Sequence, residues 1–253
     1  MIRLTTLGCL EVDQTDRPAS GAAARPRPLA LLAVVASARE LGVARDKLLA
    51  YFWPESDTER ARNCLKQTLF ALRQDLHDDI FVVRIGSLRL NPAVITTDVV
   101  QFEAARARGA HATAVALYRG PFLDGFHLPC LLEFDRWMEG ERLRLAQGYR
   151  DSLEALARAA YEAGDWRAAV DWWRRLTTVE PLDSRVALRL MRALVATGAR
   201  TEALEFARAY YDLVRDELGA LPDVAVTGYV DWLRHHPEAR LRRWSHPRPP
   251  VLD

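Results

Sequence analysis

The chain has 253 residues, 49% of them hydrophobic, with 35 basic and 34 acidic side chains. That is enough apolar material for one good-sized core or two modest ones, and it excludes a fibre or a disordered chain. The charge is balanced locally as well, since residues 1–98 hold 13 basic and 12 acidic groups and the remainder holds 22 and 22. Any contact with an anionic polymer therefore has to come from a local patch.

No apolar run approaches the roughly 18 residues needed to span a bilayer, and LALLAVVASA at 29–38 reads as a buried helix. The N-terminus, MIRLTTLGCL, lacks the apolar stretch and cleavage site of a secretory signal, so a cytoplasmic protein with no membrane association is expected. Cys9, Cys64 and Cys130 are too far apart, and odd in number, for a disulfide framework or a CxxC metal pair. Buried free thiols are expected.

In chain order, IRLTTLGCLEV at 2–12 alternates apolar and polar residues around Gly8, the pattern of two short half-buried strands and a turn. Residues 13–25 are turn-rich, with Pro18 and Gly21. Pro26 and Pro28 open a helix expected over 26–41 and ending near Gly42. VARDKLLAYFWP gives a second helix over 44–52, stopped by Pro54, and Ser56 or Asp57 caps a third over 57–76. IFVVRIGSLRLN then reads as a hairpin turning at Ile85-Gly86-Ser87. Strands, three helices and a terminal hairpin make the plan of an α+β winged helix, expected to occupy residues 1–98.

The third helix carries leucines at 65, 69, 72 and 76 on one face. Opposite them, Asn63, Gln67, Phe70 and Gln74 form a stripe flanked by Arg62, Lys66 and Arg73, with Arg60 one turn earlier. Most polar helix faces are simply solvated, but the third helix of a winged helix is a contact element. These residue types fit double-stranded DNA. Arginine and lysine pair with guanine or phosphate, asparagine and glutamine with adenine, and phenylalanine packs on a thymine methyl. In the hairpin, Arg84, Ser87 and Arg89 are candidates for a minor groove or backbone contact, against the plainer reading of a solubilising edge.

Beyond Asp98 the pattern becomes helix after helix. Gly164 and Gly198 stand 34 residues apart, each followed five residues later by alanine, Ala169 and Ala203, and then by Val170 and Leu204. This is the period of a tetratricopeptide helix pair. A fainter copy starts at Gly109, with Ala114 and Val115 at the same offsets and an insertion containing GPFLDGF before the next. The repeats lack most of the tetratricopeptide consensus, though Pro181 sits where the repeat-ending proline belongs. An all-α repeat domain is expected over 99–234, with Trp166, Trp172 and Trp173 as packing between helices rather than a ligand cage. RHHPEARLRRWSHPRPPVLD forms a basic, proline-rich stretch expected to be a flexible tail over 235–253.

Four segments in this order, ARNCLKQTLFALRQDL, ITTDVVQFEAA, ALYRGPFLDGF and DELGALPD, resemble the SARP-type bacterial activators. These join a response-regulator-like winged helix to a bacterial transcriptional activator domain (BTAD). The resemblance covers about residues 2–234. It implies promoter DNA carrying direct repeats as partner, together with RNA polymerase and a homodimer. The position of Ala71 is often arginine in the resembled helix, and here it can reach neither phosphate nor base. Long members of that family carry an ATPase, but no GxxxxGK[ST] loop is present, so no ATP-driven switch is expected.

No catalytic residue, cofactor or metal site is expected. HExxH, GxSxG and glycine-rich phosphate motifs are missing, His235, His236 and His246 have no ligand-spaced partners, and Glu133/Asp135 and Glu139/Glu141 lie on different sides of a helix. The rival to a DNA reader is a protein-interaction scaffold built on a degenerate winged helix, a reading favoured by the neutral local charge and by Ala71.

Overall fold

The structure, a computed structural model, describes residues 1–14, 17–18, 21–77, 79–84 and 86–236. Contacts divide the chain into two compact units, Met1–Ser152 and Leu153–Asp253.

In the first unit, α1 (Pro26–Ser37), α2 (Arg45–Phe52) and α3 (Thr58–Asp75) pack together. α1 and α3 form where the sequence places their start signals. Proline opens α1, and the Asp57 carboxylate caps α3 by accepting from the Arg60 N–H at 2.9 Å. α1 stops at Ser37, four residues before the expected end, because the buried pattern ceases at Ala36 and Leu41 is 87% exposed. Extending the helix would bury nothing. The turn that follows places Arg39 (φ 51°) and Gly42 (φ 69°) in the left-handed region.

β1 (Ile2–Thr5) pairs antiparallel with β2 (Glu11–Gln14), as the alternation around Gly8 predicts. It also pairs in parallel with β7 (Ile95–Thr97), while β3 (Arg17–Pro18) extends the other edge. β5 (Phe81–Arg84) and β6 (Ser87–Leu90) form the wing, joined by β4 (Val43–Ala44) in the order β4-β6-β5. The two-residue β4 and three-residue β7 are too short to show a period, and only their partners define them. Helices α4 (Asp98–Ala107), α5 (His111–Leu117) and α6 (Leu132–Glu162) as far as Ser152 share this unit. Phe52 of α2, Phe102 of α4, Phe122 and Phe134 are all fully buried in one core. The sequence pattern changes at 98/99, but the packing changes at 152/153 because these aromatics belong to both patterns.

One carboxylate holds the start of the chain to α4. Asp98 accepts from the Thr6 N–H at 2.8 and 2.9 Å, the Thr6 hydroxyl at 2.6 Å and the Leu7 N–H at 2.8 Å, while also accepting from Val99 N at the first turn of α4. The GPFLDGF segment closes on the same stretch. Gly8 N donates to Pro121 O, Leu123 N to Thr6 O and Asp124 N to Gly8 O. Arg142 of α6 then donates to the carbonyls of Phe122 and Leu123 at 2.8 and 2.7 Å. What reads as an insertion in the repeat is a clasp.

The second unit contains the end of α6, α7 (Trp166–Val179), α8 (Ser184–Ala196), α9 (Arg200–Leu218) and α10 (Val224–His235). The 34-residue spacing is structural. Gly164 (φ 77°) and Gly198 (φ 86°) follow α6 and α8 in left-handed turns, and Ala169 and Ala203 are fully buried where α7 and α9 pack on α8. Gly109 (φ 69°) and the buried Ala114 repeat this at α4 and α5 in the first unit. Trp173 is buried, while Trp166 and Trp172 are half-buried, Trp166 edge-on to Tyr161 at 4.8 Å and Trp172 under the Arg175 guanidinium at 4.9 Å.

A further expectation, that of buried thiols, is corrected. Cys9 and Cys130 are exposed and Cys64 is half-buried, because Cys9 lies in the turn after Gly8 and Cys130 in a loop at φ 64°. Neither position offers an apolar wall. The expected tail lies outside the described residues from 237 onward, as does His246.

Asp98→Ala would leave the Thr6 and Leu7 N–H groups without their acceptor. It is expected to cost about 3 kcal/mol, read as a fall in urea midpoint at unchanged slope. In the second unit the Tyr229 hydroxyl is enclosed without a hydrogen-bond partner, and burial pushes its pKa from the ordinary 10 to about 12, with nearby Arg192 opposing and Tyr161 adding. A phenol that folding keeps protonated stabilises fully below pH 10, and that contribution is lost as pH rises toward 12. Tyr229→Phe is expected to flatten this alkaline loss without lowering neutral stability, which urea midpoints on both sides of pH 10 measure.

Candidate nucleic-acid interface

α3 is held by Ala61, Leu65, Leu69 and Leu72, all buried, with Leu76 half-buried just past its end. The opposite face is open. Arg60, Arg62, Asn63, Lys66, Gln67 and Gln74 are exposed, and Phe70 is 63% exposed among them. Among the described residues, Arg60, Arg62 and Lys66 make no ion pair, so their charge is available to a partner. Ala71 sits beside this stripe, half-buried and packed against the core.

Two other arginines from the sequence reading are occupied in holding the wing. Arg73 is half-buried, with its guanidinium 5.9 Å from the centre of the Phe81 ring on β5. Arg89 on β6 donates from Nη1 to the Glu40 carbonyl at 3.0 Å, and its Nε is enclosed without a partner. Arg89 thus braces the wing on the turn after α1 instead of projecting from it. Ser87 is half-buried opposite Ala44. The side chain of Arg84, like Ile85, lies outside the described residues.

A cleft of about 620 Å³ runs along α3 between the start of α2 and the turn of the wing, and Arg45, Asp46, Arg62, Asn63, Lys66 and Arg73 line it. Arg45 and Asp46 were not among the sequence-predicted residues. The available signal was their place at the first turn of α2, where Ala44 offers no side-chain cap and the helix's free N–H groups add positive potential. Ala71 does not line this cleft. Among the described residues no cluster of His, Cys, Asp or Glu could hold a metal, and no helix is long and apolar enough to cross a membrane.

A sequence model of the bacterial transcriptional activator domain matches residues 97–231, more than half of the chain. The chain belongs to the bacterial transcriptional activator domain family. The winged helix ahead of that domain gives the BTAD protein the SARP-type arrangement that its four sequence segments resemble. The fold is similar to that of Mycobacterium tuberculosis EmbR, solved in complex with a low affinity phosphopeptide, at a TM-score of 0.62 and 18% identity. The match covers 93% of this chain and 65% of the EmbR chain. A search of curated protein sequences finds no significant match.

The wing's seat depends on Gly42. A Cβ there would lie 2.9 Å from the Leu88 carbonyl oxygen and 2.6 Å from Arg89 Cγ, at a left-handed φ. Gly42→Ala is expected to cost about 2 kcal/mol. Faster amide hydrogen exchange at Val43 and Leu88, which pair across β4 and β6, would show that the wing has lifted.

Proposed function

We propose that this BTAD protein is a sequence-specific transcriptional activator that reads double-stranded promoter DNA with α3 in the major groove and the wing against the adjacent backbone. The observation that carries the reading is the open face of α3, where unpaired cations flank amides and an exposed phenylalanine. Asn63 and Gln67 suit adenine, Arg62 and Lys66 suit guanine or phosphate, and Phe70 suits a thymine methyl. Arg60, Gln74 and Arg45 at the margins suit phosphates, and Arg84 and Ser87 accompany the wing. The BTAD helices serve as the surface for a second copy or for RNA polymerase, with direct-repeat promoter sites placing two copies side by side. The protein acts in the cytoplasm by binding and carries out no catalysis of its own.

Near-neutral charge over the first 98 residues and the exposed Phe70 favour a second reading, a protein-interaction scaffold. Salt dependence separates the two. A DNA reader loses affinity log-linearly with salt as counterions are retained, whereas a scaffold forms no complex at low salt.

Asn63→Ala is expected to weaken binding to the preferred site by about 1–3 kcal/mol and to relax its base preference. Lys66→Ala is expected to weaken all sequences alike and to reduce the salt slope by about 1. Both positions are exposed, so the thermal midpoint should not move. Fluorescence anisotropy with selected duplexes measures these effects, and parental affinity in both variants would remove α3 from the interface.

A further inference from the structure

The first unit holds a second cavity, behind the wing and away from the exposed face of α3. It measures about 210 Å³ and is walled by Val35, Ala36, Leu90, Pro92, Ile95 and Val100, so its surface is largely apolar. Four segments meet there: the end of α1, the foot of the wing after β6, β7 and the first turn of α4. The volume is below the roughly 300–1,000 Å³ of drug-sized sites and suits a compound of about ten heavy atoms.

The polar part of the wall mixes neutral groups, Thr96, Thr97 and Gln101, with charged ones. Arg39 and Arg89 line the cavity together with a single acid, Glu40. Arg39 is held there by a left-handed backbone, and Glu103, on the adjoining face of α4, lies 3.9 Å from its guanidinium while also bridging Arg106 and Arg144. Arg89 has one nitrogen committed to the Glu40 carbonyl and a second, Nε, enclosed without a partner. Val100 remains 37% exposed at the rim, an apolar side chain on the first turn of a helix with nothing over it. An apolar slot with two guanidinium groups and an unanswered N–H in its wall matches one ligand chemistry, a short hydrocarbon or aryl body ending in a carboxylate.

We propose that this cavity binds a small amphiphilic carboxylate whose apolar body fills the slot between β7 and α4 and whose carboxylate meets Arg39 and Arg89. An entering carboxylate oxygen gives Arg89 Nε an acceptor while Nη1 keeps its bond to the Glu40 carbonyl. Because Arg89 is also the brace between the wing and the Glu40 turn, occupancy bears directly on the wing's foot. The site would therefore sense a metabolite and stiffen β6, whatever the wing itself contacts.

Octanoate, titrated into the full chain and followed by calorimetry, is the probe. Saturable binding at one site is expected, with octanamide binding about tenfold more weakly for want of the charge. Val100→Trp, which plugs the rim from a half-exposed position, should weaken octanoate about tenfold while leaving the unliganded thermal midpoint in place. Should that variant unfold, Gln101→Trp, at an exposed position on the same rim, gives the same readout. Amide exchange in Ser87–Leu90 should slow on binding. Unsaturable uptake, equal affinity for the amide, full affinity in the plugged variant, or unchanged exchange at the wing's foot would each overturn the proposal. No DNA enters the experiment, so its failure leaves the reading of α3 untouched.

Discussion

The Asp98 carboxylate is the constraint on which the first unit rests. It accepts hydrogen bonds from Thr6, Leu7 and Val99, and so fixes the end of β1 to the start of a helix more than ninety residues later. Thr6 is fully buried, which makes this a charge-assisted set of bonds away from water, where an unanswered N–H would be costly. With β1 fixed, β7 can lie parallel to it, and the chain between them must fold out as three helices and a wing. The clasp at residues 120–126 closes on the same stretch, bonding to Thr6 and Gly8 on either side of Leu7. Gly8 and Gly120 allow that approach, since a Cβ on Gly120 would come within 3.3 Å of the Gly8 Cα. The winged helix and the first BTAD helices are therefore one packing unit although their sequences follow different patterns.

Within that unit, arginine has two uses that a sequence does not distinguish. Arg62 and Lys66 are exposed on the open face of α3, while Arg73 and Arg89 spend their guanidinium groups on Phe81 and on the Glu40 carbonyl. The second pair supports the first by setting the wing beside the groove along α3. A planar, multi-donor head on a long stem suits that bracing role, because it can cover an aromatic face or reach a carbonyl across a gap while its stem packs on apolar neighbours. Lysine at either position would lose the fit.

The helices and the hairpin were legible because each announces itself locally. Proline at the start of α1, Asp57 before α3, the leucine face of α3 and the composition of the two runs that become β5 and β6 all depend on near neighbours. The 34-residue glycine spacing was legible for the same reason, since a left-handed turn after each inner helix admits glycine most easily. β4 and β7 were not, for they are two and three residues long and exist only through partners at Leu88 and Ile2. The early end of α1 was lost to its alanines, which suit a helix whether or not anything covers them. Cys9 and Cys130 were misplaced because free cysteine is usually buried, and only the loop geometry around them shows otherwise. At the candidate interface, the stripe on α3 was readable, whereas the position of Arg45 at its side depends on how α2 crosses α3.

The near-zero charge of the chain bears on affinity less than the placement of its charges does. Many of its arginines answer acids within a few residues or across a helix pair, as in Arg144 with Glu141 and Glu103, Arg158 with Glu154, and Arg174 with Glu202. Such pairs are locally neutral and add little to the field beyond a Debye length of about 8–10 Å. Along α3, Arg62 and Lys66 are one turn apart and Arg45 faces the same cleft, with Asp46 the only acid among the described residues that line it. The charges of Arg62 and Lys66 add because neighbours one helical turn apart lie well within the screening length. A polyanion approaching this side of the unit meets a cation cluster whose strength the total charge of +1 does not convey. A partner surface without anionic groups would leave those cations desolvated and unanswered, and that asymmetry sets the open face of α3 against an uncharged partner.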